Sequence, residues 1–207
     1  MVTTKLYVEG GGDSESLRSL CRAGFRTFLE RAGFLGRMPR IVACGGGSDT
    51  IDRFFTARRM KEPALLLIDS EHPVIDQSPW QHLARHSSLQ HVLRVRISDE
   101  HCYLMVVCME SWLLADAATL RRFFGDGFND RPLLRLTNIE EVPVDGVMRI
   151  LKKSTHRCTH GVRSVKGETS FRLLMLVDPL KVAAASPWAA RFLRALDAAM
   201  ASKSRLS

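Results

Sequence analysis

The sequence predicts an α/β protein: a Rossmann-like central parallel sheet of about four strands flanked by helices, with a helical C-terminal part. Two observations carry that expectation. Short β-prone runs alternate with helical apolar spacing through the first 125 residues, which is the pattern of successive βα units. One of those runs, Ala64-Leu65-Leu66-Leu67-Ile68, is apolar without interruption, as befits a strand buried on both faces. The 207 residues fit a single compact unit, with an α/β core over 1–125 and a helical extension over 126–207 packed on it.

Lys5-Leu6-Tyr7-Val8 is the first strand, ended by Glu9 and three glycines. Asp13 or Ser14 then caps a helix whose buried face is Leu17, Leu20, Cys21, Phe28 and Leu29. The pattern repeats as Arg40 to Cys44, a glycine triplet at 45–47, and a helix capped by Ser48 or Asp49 that runs to about Met60. The third strand, 64–68, ends in Asp69-Ser70-Glu71. An irregular crossover spans His72 to Asp99, with a short helix at Gln81 to Arg85. His101 to Met109 is the fourth strand, and one helix is expected from Glu110 to about Phe124. Further helices are expected near Asp145 to Ser154, Ser170 to Val177 and Pro187 to Ala201, with a basic loop from His156 to Gly167.

Composition narrows the function classes. The longest apolar run, Cys102 to Met109, is far shorter than the roughly 18 residues that cross a bilayer. The N-terminus lacks the basic start and apolar stretch of a secretory signal, so a cytoplasmic protein is expected. Five scattered cysteines without a CxxC pair fit reduced core thiols. Thirty basic and 22 acidic residues give a net charge of +8, and 23 of the thirty are arginine, which suits a polyanionic partner. A high-GC coding bias would give the same composition.

The strand-end residues carry the chemistry. Glu9-Gly10-Gly11-Gly12-Asp13 lacks the third glycine of a dinucleotide fingerprint, because Glu15 stands there, and lacks the Gly-Lys-Ser/Thr of a P-loop. A carboxylate at that place repels a pyrophosphate unless a cation intervenes, so the natural partner of Glu9 is a metal ion. In a parallel sheet the ligand site lies beyond the carboxyl ends of the strands, where Glu9, Asp69, Glu71 and Glu110 all fall. Mg²⁺ takes oxygen ligands, commonly one or two carboxylates with water and substrate phosphate, and Mn²⁺ is a possible substitute. If strand conformation persists through Glu71, Asp69 and Glu71 face the same side. The competing explanation for each acid is helix capping or pairing with arginine.

Other residues have weaker claims. Asp13, Asp49 and Asp76 are better explained as caps, turns or solvated acids. His72 is a candidate base, although its company of His82, His86 and His91 suits a surface loop. His156, Cys158 and His160 supply three zinc ligands without a fourth. Arg18, Arg22 and Arg26 recur every four residues along one face of the first helix, as solvated decoration or as a phosphate track. Trp112 reads as core.

Tyr7-Val8-Glu9-Gly10-Gly11-Gly12-Asp13-Ser14, Ile41 to Gly46, Leu67-Ile68-Asp69-Ser70-Glu71 and Met109 to Asp116 together resemble the TOPRIM fold of topoisomerases, primases and overcoming-lysogenization-defect nucleases. Within that fold they look like a bacterial family of unknown function that includes AriB, the effector nuclease paired with an ATPase in the PARIS anti-phage system. The resemblance covers nearly the whole chain, including Lys166 to Phe171 and Leu176 to Lys181. It implies that Glu9 is the TOPRIM glutamate, Asp69 the first member of the D-x-D pair and Glu71 the second. That last position departs from the pattern, since glutamate is one methylene longer than aspartate. Glu110 and Asp116 belong to the branch's own motif. Of these, Glu110 is taken as a site residue and Asp116 as a helix-surface or pairing residue.

The expected function is Mg²⁺-dependent hydrolysis of phosphodiester bonds in RNA, including tRNA, or in DNA. Glu9, Asp69 and Glu71 would hold the metal, and Glu110 and Lys166 would complete the catalytic set. Lys166 is placed in a basic loop with Arg163 and would neutralise charge on the scissile phosphate, or else is an ordinary exposed lysine. Arg18, Arg22 and Arg163 would contact nucleic acid. The resemblance further implies a companion ATPase, and a homodimer is left open. The alternative is a catalytically silent subunit that binds nucleic acid or regulates the ATPase.

Overall fold

In the computed structural model, which describes residues 3–86, 97–158 and 167–204, four parallel strands form one sheet in the order β2-β1-β3-β4. They are β1 (Lys5–Val8), β2 (Arg40–Ala43), β3 (Ala64–Asp69) and β4 (Cys102–Met105). The expected parallel α/β architecture is therefore present. β1 and β3 are the two central strands and pair in register from Lys5 with Ala64 to Val8 with Leu67, which sets their carboxyl ends side by side. Both are almost wholly buried, in keeping with their continuous apolar sequences.

Helices α1 (Glu15–Leu29) and α2 (Gly47–Arg59) follow β1 and β2. Ser14 caps α1, its side chain accepting the Leu17 N–H at 3.4 Å. The glycine turn before it is dictated by crowding: Gly11 has φ +88°, and a Cβ there would lie 2.6 Å from Arg18 Cα. α2 starts earlier than expected. Gly46 occupies its cap and Ser48 and Asp49 lie inside the first turn, because the Gly10–Gly45 bridge ends β2 pairing and leaves Gly46 extended.

The crossover after β3 contains α3 (Pro79–His86) and a 3₁₀ turn at Asp99–His101, so β4 begins at Cys102 rather than His101. β4 also stops at Met105. Val107 then accepts the Glu71 N–H at 2.8 Å, and the chain turns into α4 (Met109–Leu113).

The expected helix from Glu110 to Phe124 is two helices, α4 and α5 (Ala117–Phe124). Asp116 divides them by capping α5: its carboxylate accepts the Thr119 N–H at 3.3 Å and the Thr119 hydroxyl at 2.7 Å. It is buried, not on the surface, and also accepts from Asp178 N–H at 3.1 Å and Lys181 Nζ at 2.6 Å. Its pairing role is as expected. The C-terminal part comprises α6 (Val144–Thr155), α7 (Glu168–Leu174), α8 (Pro179–Ala185) and α9 (Pro187–Ser204). α8 was not anticipated, although an Asp178 cap followed by Pro179 at the first helical position is its sequence signature.

The extension shares its core with the sheet. α7 packs on α1 and α4, α9 packs on β4, and α6 packs on α4. Trp112 is fully buried and stacks on Phe28 with centroids 5.1 Å apart, so it is a core residue as expected. All five cysteines are buried free thiols. Among the described residues no helix is long and apolar enough to cross a membrane.

Asp116 therefore ties the α4–α5 junction to α8. Burial works against its charge, yet the Lys181, Thr119 and Asp178 donors together hold its carboxyl below the usual carboxylate range. Its stabilisation is present at neutral pH and is lost on acidification through that lowered value. Asp116→Ala is expected to lower the free energy of unfolding at pH 7 by ~3 kcal/mol, because buried N–H groups lose their acceptor. Urea denaturation measures this, and a loss below ~1 kcal/mol would show that the junction does not depend on Asp116.

Candidate functional site

The site assembles where the chain leaves β1 and β3. Glu9 follows β1 directly, and its own N–H bonds to Leu67 O at 3.1 Å, continuing the β1–β3 ladder by one residue. Its side chain crosses to the neighbouring strand, where Oε2 accepts the Asp69 N–H at 3.1 Å. The N-terminus of α2 lies against the same carboxylate: a Cβ on Gly47 would sit 3.4 Å from Oε2, and the Gly47 N–H is a further donor to Glu9.

Asp69 ends β3 and repeats the arrangement one strand further. Its Oδ1 accepts the Met109 N–H, in the first turn of α4, at 2.9 Å. Oδ2 has no hydrogen bond among the described residues. Glu110, next along α4, is buried and its Oε1 accepts the Ser170 hydroxyl of α7 at 2.9 Å. Glu71 is exposed and left-handed, with φ +59°. β3 has ended by then, so the extended geometry that would align Asp69 and Glu71 does not persist. Glu71 nevertheless lines the same cleft, a hollow of about 120 Å³ bordered by Glu9, Gly47, Ser48, Ile68, Asp69, Ser70, Glu71, Leu83 and His86.

The electrostatics are those of crowded anions. Burial pushes Glu9 up to about 7, helped by the charges of Glu71 and Glu110 and opposed by the Asp69 and Gly47 N–H groups. Burial also raises Asp69 well above the ordinary carboxylate range, with Glu9, Glu110 and Glu71 adding to it and the Met109 N–H opposing. Among the described residues none of these four acids has a Lys or Arg ion-pair partner, whereas Asp76, Asp116, Asp130 and Asp145 each have one.

The donor set suits a hard cation. The carboxylates are oxygen donors, and the raised proton affinity of Glu9 and Asp69 expresses a demand for positive charge that a divalent ion would meet. Among the described residues no three His, Cys, Asp or Glu side chains are grouped so as to hold one metal ion. What the site offers is one or two carboxylates with room for water and phosphate, which is how Mg²⁺ is commonly held.

The remaining candidates scatter. Arg18 and Arg22 both bond Glu15, at 3.2 and 2.7 Å, and neither lines the cleft. Arg163 and Lys166 lie outside the described residues, as do His91 and His160. Of the loosely zinc-like set, Cys158 is buried, while His156 is exposed and its Nδ1 meets Lys153 O at 3.1 Å. His72 is exposed, with its ring 4.6 Å from that of His86.

Sequence reasoning missed His82, His86 and Ser170 as parts of the site. Buried His82 bonds Ser70 O at 2.9 Å, fixing the residue between Asp69 and Glu71. Ser170 sits in the Lys166–Phe171 stretch of the family resemblance, which was its one signal.

The model of the family described as "Domain of unknown function (DUF4276)" matches residues 8–197, and the chain belongs to that family. Neither the curated proteins nor the solved structures give a significant match.

Glu9 lies above its ordinary value of 4.5, so its ionisation opposes folding progressively from pH 4.5 to about 7 and fully above that. Without divalent cations, the stability gained by Glu9→Gln relative to wild type is expected to grow by ~2–3 kcal/mol across that interval. Urea unfolding at its two ends measures the change. A gain that does not vary with pH would show that Glu9 is not under this strain.

Proposed function

We propose that this member of the DUF4276 family is a Mg²⁺-dependent nuclease that hydrolyses phosphodiester bonds of RNA, including tRNA, or of DNA. One observation carries the reading: carboxylates from β1, β3 and α4 converge beyond the strand ends without a basic partner among the described residues. Asp76, Asp116, Asp130 and Asp145 are each paired with a Lys or Arg, so four acids left together without one point to a cation that arrives with the ligand.

In this reading Glu9 and Asp69 hold the metal, with Glu71 at the rim. The backbone donors from Asp69 and Met109 fix which carboxylate oxygens remain available. Glu110, held by Ser170, keeps the potential negative behind them. A bound Mg²⁺, or Mn²⁺ in its place, supplies charge neutralisation of the phosphate and activation of water. Lys166 is proposed to neutralise phosphate charge. The TOPRIM resemblance adds the setting, a cytoplasmic anti-phage effector restrained or delivered by a companion ATPase.

A second reading keeps the nucleic acid and drops the chemistry. The lack among the described residues of three side chains grouped to hold a metal ion and the left-handed turn at Glu71 favour a silent subunit that binds nucleic acid or regulates an ATPase.

Incubation of the protein with tRNA, single-stranded RNA and plasmid DNA, with Mg²⁺ or Mn²⁺ and with or without a candidate ATPase, separates the two. Metal-dependent cutting is expected, reduced by about 100-fold or more in Glu9→Ala and in Asp69→Asn. No cutting under any metal or partner condition, with binding retained in wild type and variants, would move the assignment to the silent subunit.

A further inference from the structure

A basic concavity lies away from the carboxylates. A groove of about 700 Å³ runs between the turn at 131–135 and α6, lined by Arg131, Pro132, Leu134, Arg135 on one side and Gly146, Arg149, Ile150, Lys153 on the other. It shares no lining residue with the cleft at Glu9. All four cations are exposed.

Their partners decide what the groove can do. Arg149 pairs with Asp145 on its own helix. Arg131, Arg135 and Lys153 have no ion pair among the described residues. The neighbouring acids are committed elsewhere: Asp130 to Arg121, Glu140 to the Ser186 hydroxyl and the Trp188 N–H, and Glu141 to Asn138. Such a cluster repels itself, and an exposed one is relieved by an anion that spans several charges at once.

The two walls are fixed relative to each other. Asn129 N–H bonds Ser154 O at 2.8 Å, and Leu133 is buried in the common core. At Gly127 a Cβ would come within 2.3 Å of Arg157 O, so the chain leading into the turn is in close contact with the residues just after α6. The backbone positions that carry the cations are thus set. Between them lie Pro132, Ile150 and Leu134, the last 70% exposed, which offer apolar surface to sugars and bases.

We infer that this groove is a docking site for the phosphate backbone of a single-stranded nucleic acid, with Arg131, Arg135 and Lys153 each meeting phosphate. Three of the four cations are arginine, which matches phosphate geometry, and the alternation of cations with apolar side chains suits a strand with unstacked bases. The groove's position connects it to the carboxylates. α6 packs on α4, whose first turn carries Glu110 and donates the Met109 N–H to Asp69. The inference rests on the nuclease reading only for the purpose of docking, since binding here needs no cleavage.

Fluorescence anisotropy of a labelled single-stranded RNA, titrated with the full chain across a range of NaCl concentrations, tests it. Each phosphate neutralised contributes about 0.7 to the slope of log K against log salt for a single strand. The triple variant Arg131→Gln/Arg135→Gln/Lys153→Gln is expected to bind about tenfold or more weakly and to lose about 2 from that slope. Replacing all three sites by the alternative cation, Arg131→Lys/Arg135→Lys/Lys153→Arg, should keep most of the slope. An unchanged affinity and slope in the glutamine variant, with far-UV circular dichroism as in wild type, overturns the inference, as does binding of an acidic protein surface in preference to RNA.

The outcomes separate from those of the nuclease reading. Cutting that persists while the triple variant binds normally removes the groove and leaves the nuclease. Groove-dependent binding by a wild-type protein that never cuts does the reverse.

Discussion

Glu9 accepts the Asp69 N–H, Asp69 accepts the Met109 N–H, and Glu110 accepts the Ser170 hydroxyl. Each acid at the strand ends therefore ties its own element to the next, from β1 to β3, from β3 to α4 and from α4 to α7. The constraint behind this relay is that a buried carboxylate must be hydrogen-bonded, and the donors at the edge of a parallel sheet are backbone N–H groups and helix starts. Position in the sheet and the bonding of the acids are the same fact. Moving any of these carboxylates would disturb the junction of two elements as well as the cleft.

Those bonds orient the acids without neutralising them. An N–H donor lowers a carboxylate's proton affinity, but here burial and the other acids outweigh it at Glu9 and Asp69. The fold carries a cost that a cation would remove. The stability of the fold is supplied elsewhere in the chain, by a core in which Trp112 meets Phe25, Phe28 and Phe192 and by the Asp116 cluster. Because α7 and α9 pack on α1 and β4, the helices after residue 126 support the sheet that carries the site.

Local patterns were legible where local forces decide. The strands at 5–8, 40–43 and 64–69 follow from apolar β-prone runs, and Ser14 caps α1 because the glycine turn leaves it extended. What escaped depends on partners remote in sequence. Helical spacing continues across Asp116, and only Asp178 and Lys181, about sixty residues later, reveal why the helix breaks there. The left-handed turn at Glu71 is set by its bond to Val107, so the D-x-E spacing alone predicted a strand that does not continue. Of the site, Glu9, Asp69 and Glu110 were readable as acids at strand or helix ends. Ser170 and His82 were not, because a serine on one helix and a histidine on another carry no periodic signal toward a carboxylate and a carbonyl they meet only in the folded chain.

Glu110 and Asp116 show how structure distinguishes two acids that sequence presents alike. They stand six residues apart in one apolar segment, and both are buried. Asp116 gathers two backbone N–H groups, a hydroxyl and an ammonium, and its carboxyl is held below its ordinary value despite burial. Its charge is fully answered within the chain. Glu110 receives one hydroxyl from Ser170 and faces Glu9 and Asp69, whose carboxyls its charge helps to raise. A carboxylate that pays for its burial through local partners is accounted for by the fold. One that shares a site with like charges has no such answer from within the fold, and that criterion, applied acid by acid, separates the centre at the strand ends from every other acid with an ion pair in the described chain.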